Sequence, residues 1–186
     1  MEKGLLNITP NTLAEISQFL DLPIEFFYQG DIRSRISNFY YRKRVSLPKK
    51  ILQVTDAKIA IISNCIDNLL NSVELDCPQP LNIMVSFPSR RPDDIARLAR
   101  NYLDVPKGPV RNIADVLEKK GIIIKEFNFQ TEKFDGITVI TDKHQPIIFV
   151  NNQLSGDRKR FTLAHELGHL IMHIPFELEL ETDDKE

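Results

Sequence analysis

RFTLAHELGHLIMH, Arg160 to His173, carries three of the four histidines of this 186-residue chain in one short segment. On an α-helix, residues four apart lie one turn apart on a common face, so His165 and His169 can aim imidazole nitrogens at a single point. Glu166 follows the first of them, near that point and free of any need to be a ligand. Two nitrogens and one further nitrogen or carboxylate would hold a zinc ion in fourfold geometry with one position left for water. Water held there has its pKa lowered from ~15.7 to about 7, and Glu166 would take its proton during attack on a peptide carbonyl and return it to the leaving amine. From the chain's own histidine and glutamate content, an HExxH pattern is expected by chance only about 0.005 times.

The residues around the motif agree with a helix. Leu163, Leu167, Leu170, Ile171 and Ile174 fall at i, i+4, i+7, i+8 and i+11, an apolar stripe on a different face from the histidines. Ser155-Gly156 opens the helix, which the spacing extends to about 173, and Pro175 ends it. His173 stands eight residues from His165, about 12 Å along the axis and roughly 80° around it, which places it beyond easy reach of the same metal. It reads as a supporting residue at the helix end, where a cation suits the dipole. Met172 and Pro175 occupy the positions at which HExxHxxGxxH would need glycine and histidine, so that longer motif is excluded.

Upstream, three strand candidates follow one another at 122–129, 134–141 and 146–151, and the last two are close enough in sequence for a hairpin. An edge of one of those two strands is the expected track for an extended substrate. Before them come helices expected at 49–76, 92–102 and 110–120, the last closed by Lys119-Lys120-Gly121. In the first, Ile51, Val54, Ala57, Ile61, Ile62, Cys65, Leu69 and Leu70 form the expected apolar face. Thr9-Pro10 caps and opens a helix over about 10–20, and Pro23 opens a shorter one with Ile24, Phe26 and Phe27. From Ile32 to Thr55 there is no acid, while seven lysines and arginines alternate with Phe39, Tyr40 and Tyr41. That stretch reads as a solvated basic linker ahead of a nucleic-acid contact, because charge runs are commonly solvated faces.

With 42% apolar residues, 27% charged and a net charge of -2, the chain has no bulk attraction for nucleic acid. No apolar run approaches the ~20 residues of a membrane span, and no signal segment opens the chain, so the cytoplasm is the expected compartment and no membrane partner is expected. Cys65 and Cys77 have no CxxC pairing and are expected as buried, reduced thiols.

The chain resembles the ImmA/IrrE family of bacterial zinc peptidases over about residues 92–175. The matching stretches are Gly108-Pro-Val, Glu118-Lys-Lys-Gly-Ile-Ile-Ile, Phe134-Asp-Gly-Ile-Thr, Pro146-Ile-Ile-Phe-Val and the opening segment itself. The resemblance implies a zincin-like domain whose zinc is held by His165 and His169, with Glu166 as catalytic base and a partner helix-turn-helix transcriptional repressor as protein substrate. It also implies a third ligand, a glutamate on a following helix in a stretch like EANxFA, which the sequence through Glu186 does not show. Glu186 is the acid nearest that spacing. The 186-residue chain is accordingly expected to bind zinc poorly and to lack peptidase activity, and a chain extended through the next helix to gain both. Glu2-Lys-Gly, Pro10, Leu13, Ile16, Leu20 and Pro23-Ile-Glu-Phe-Phe resemble the second half of a xenobiotic-response-element-type helix-turn-helix, which leaves DNA binding open.

The expected organisation is α+β: a helix-turn-helix remnant at 1–30, a basic linker at 31–50, a helical connector at 51–90, and a peptidase domain at 91–186 with a small mixed sheet and the HExxH helix. The alternative is a non-enzymatic DNA- or protein-binding module built on the same fold.

Overall fold

The computed structural model describes residues 8–28, 34–36, 49–72, 91–105, 107–141 and 145–172. His173, Ile174, Cys77, Glu186 and most of the basic stretch 31–50 lie outside the described residues. The chain divides into two compact units, Met1–Ile32 and Arg33–Glu186.

In the first unit, helix α1 spans Pro10–Leu20. The Thr9 hydroxyl accepts the Thr12 N–H at 3.3 Å, proline stands at the first helical position, and Asp21 ends the helix in the left-handed region at φ 54°. The N-terminal end therefore uses the capping chemistry written in the sequence. A 3-10 helix follows at Ile24–Tyr28, started by a hydrogen bond from the Phe26 N–H to the Pro23 carbonyl at 3.0 Å.

The second unit is built on a four-stranded mixed sheet in the order β1-β3-β4-β2, with β1 at Ser34–Ile36, β2 at Ile123–Phe127, β3 at Gly136–Thr141 and β4 at Pro146–Asn151. β3 and β4 form the expected antiparallel hairpin, and β2 runs parallel to β4. Every residue of β3 and β4 is buried, the pattern of strands covered on both faces. Alternation divides their side chains: Ile137, Val139, Ile147 and Phe149 face one cluster, while Ile140, Ile148 and Val150 face another.

Two features correct the sequence reading. β1 lies within the stretch read as linker and pairs with Val139–Thr141. Among the described residues β4 is therefore internal, between β3 and β2, and β1 covers β3 only at Val139–Thr141. The substrate edge expected on 134–141 or 146–151 is therefore not on 146–151, while the Gly136–Thr138 part of β3 lies beyond the reach of β1.

Helix α2, Lys49–Ser72, covers the first cluster. Its inward face is Thr55, Ile59, Ile62, Ser63 and Ile66, which shares Ile62 with the expected stripe; Val54 and Leu69 are exposed. Cys65, expected to be buried, is exposed for the same reason. Apolar residues occur on several sides of this helix, and the rings of Phe127, Phe134 and Phe149 beneath it select which of them turn inward.

The second cluster is covered by α3 (Pro92–Tyr102), α4 (Ile113–Glu118) and α5 (Gly156–Met172). Asn112 caps α4 by accepting the Asp115 N–H at 3.3 Å. Gly121, at φ 81°, ends the following turn, and the Ile122 N–H reaches back to the Leu117 carbonyl at 3.1 Å. Such a reversal favours glycine because a Cβ resists positive φ. Among the described residues no helix is long and apolar enough to cross a membrane.

Candidate metal centre

The site is carried by α5, and its first turns are pinned by three consecutive cations. Arg158 pairs with Asp135 at 2.8 Å, Lys159 with Glu126, and the Arg160 guanidinium donates to the carbonyls of Val110 and Arg111. The forked geometry of arginine suits two adjacent acceptors. This contact also explains why α4 starts at Ile113 and not at about 110: the carbonyls before it are turned toward Arg160. Exposed ion pairs contribute only about 0–1 kcal/mol each, so their effect is mainly to set where α5 sits. Asp157, fully exposed in the first turn, has its carboxyl held below the ordinary range by a side-chain hydrogen bond with Ser155 and by backbone amides. That contribution favours the fold above the ordinary carboxylate range and is lost as pH falls.

Gly136 lets α5 approach the sheet. A Cβ there would stand 2.7 Å from Thr162 Cγ2 and 2.9 Å from the Phe149 carbonyl oxygen. The first contact is a β-branched helix residue and the second is backbone, so neither yields easily. Gly136→Ala is expected to destabilise the protein by about 1–3 kcal/mol, the range for overpacking, read from chemical denaturation. An unchanged denaturation midpoint would show that helix and sheet have slack here.

One turn further along α5 stands Glu166, only 6% exposed. Thr138, 1% exposed on β3, donates its hydroxyl proton to Glu166 Oε2 at 2.9 Å. A buried carboxylate is costly unless hydrogen-bonded, and this bond also fixes one of its oxygens. Thr138→Val keeps the shape and removes the donor. It is expected to cost about 1–3 kcal/mol of stability, with Thr138→Ser restoring most of it. Equal stability of all three proteins would remove this role.

His165 and His169 lie on the uncovered side of α5, the first exposed and the second half-buried. Their Nε2 atoms are 3.0 Å apart, with the rings nearly perpendicular at 89° and their centroids 4.6 Å apart. The convergence expected from the i, i+4 spacing is therefore present. At this separation the two nitrogens can share one proton or one cation. Zinc–nitrogen bonds of about 2.0–2.1 Å in tetrahedral geometry require nitrogens roughly 3.3 Å apart, so the pair fits the metal after opening by about 0.3 Å.

Among the described residues, no group of three His, Cys, Asp or Glu side chains gathers at one point. Of the other sequence candidates, Glu186 and His173 lie outside the described residues. Beside the histidines, an apolar cleft of about 520 Å³ opens between α3, α4 and α5, with Ala164, Gly168 and Met172 on its α5 side. Sequence spacing did not point to Thr138 or to the fit at Gly136, because both act on α5 from a strand far away in the chain. The only sequence signal was the Phe134-Asp-Gly-Ile-Thr stretch, known by resemblance and not by chemistry.

The family model described as Peptidase_M78, IrrE N-terminal-like domain, matches residues 117–176. No curated protein and no solved structure matches the chain. The matched segment holds β2, β3, β4, both histidines and Glu166, and it supports the ImmA/IrrE resemblance and a metallopeptidase-like fold there.

Proposed function

We propose that this chain is a zinc-dependent endopeptidase whose substrate is a partner helix-turn-helix transcriptional repressor, with the element at residues 10–28 as a remnant of a helix-turn-helix of its own. The observation that carries this reading is the pair of Nε2 atoms 3.0 Å apart on the same helix as a buried glutamate whose Oε2 is held by Thr138. His165 and His169 would hold the metal through Nε2, which requires both ring protons on Nδ1. Zinc, when bound, supplies Lewis acidity that polarises a carbonyl and makes water nucleophilic near neutral pH. Glu166 takes the proton of the attacking water and delivers it to the leaving amine. Thr138 keeps the carboxylate oriented while it alternates between these roles.

In a form of the protein that cuts a supplied repressor, cleavage should stop on chelation and return when zinc is restored. Cleavage that survives chelation would contradict the reading. A stable complex with an intact repressor, with zinc present, would favour the non-enzymatic module.

A further inference from the structure

Phe161 is one turn before His165 on α5 and is 72% exposed, on a helix whose other large apolar side chains are buried or half-buried. Its ring lies nearly parallel to that of His165, at 21° with centroids 6.2 Å apart. Exposing a phenyl ring is unfavourable by about 25 cal/mol per Å² of apolar surface. The α5 register makes the exposure specific: Thr162 and Leu163, the next two positions, are turned inward, and Phe161 shares the outer face with Ala164, His165 and His169. Phe161 therefore borders the His165 imidazole on the exposed face of α5.

We propose that Phe161 is a specificity-determining residue: it forms an apolar wall that selects an aromatic or large apolar side chain flanking the peptide bond presented to His165 and His169. This inference rests on the zinc peptidase reading. The occupant is a side chain of the substrate, because the exposed ring lies against His165 and an aromatic partner gains offset or edge contact with it.

The test uses two hydroxamates with the same chelating group. The chain, in molar excess over added zinc, is titrated calorimetrically with acetohydroxamate and with phenylacetohydroxamate, and the same titrations on His165→Ala supply the background from free zinc. The wild type should prefer the phenyl compound by about five- to tenfold, the range for one aromatic pair. Phe161→Ala should reduce that preference to about twofold or less while acetohydroxamate affinity stays the same, and Phe161→Tyr should restore it. Acetohydroxamate binding above background, with no phenyl preference or with one that survives in Phe161→Ala, overturns the proposal while leaving the metal site standing. No binding above background overturns the metal reading itself, and the proposal with it. Self-association of the wild type that Phe161→Ala abolishes, seen by sedimentation velocity, would assign the ring to a contact between copies and also overturn the proposal.

Discussion

Glu166→Gln is expected to retain zinc and lower turnover by about 10²- to 10⁴-fold, the contribution of a positioned general base. The substitution keeps the side chain's length, and its amide oxygen can still accept the Thr138 hydroxyl, so the buried contact on β3 survives. What disappears is an acceptor basic enough to take a proton from water. Both histidines are untouched, so metal content at a given zinc concentration should match the wild type. The comparison needs zinc above its dissociation constant and a form of the protein that cuts a supplied repressor. Turnover by the glutamine variant within a few-fold of wild type would assign the base elsewhere. A parallel loss of metal and turnover would instead make Glu166 part of what holds the ion.

The contrast between α5 and α2 shows which features were legible in the sequence. In α5, one apolar stripe and one histidine face leave a single sensible orientation, and the structure has Leu163, Leu167, Leu170 and Ile171 buried as spaced. In α2, apolar residues at Ile51, Val54, Ile59, Ile61 and Ile62 fit more than one face. The choice of Ile59 and Ile62 is made by aromatic rings more than fifty residues away in sequence. β1 was hidden for a related reason: Ser-Arg-Ile has no alternation of its own, and its strand state comes from pairing with β3. At the site, the histidine pair and Glu166 were readable because four-residue spacing is a local geometric fact. Thr138, twenty-eight residues before Glu166, reaches the carboxylate only through the packing of helix on sheet.

The second large effect concerns the metal itself. Each imidazole is expected to supply one of the chain's bonds to zinc, so His165→Ala or His169→Ala should leave a single nitrogen and abolish specific binding. His165 is exposed and His169 half-buried, so both variants should stay folded. Equilibrium dialysis against zinc, run on the wild type and both variants with circular dichroism as the control for folding, reads this most directly. The prediction is one zinc ion per wild-type chain, bound weakly, and none bound specifically by either variant. Zinc retained at wild-type affinity by both folded variants, or no binding by the wild type, would contradict the assignment of His165 and His169 as a metal centre.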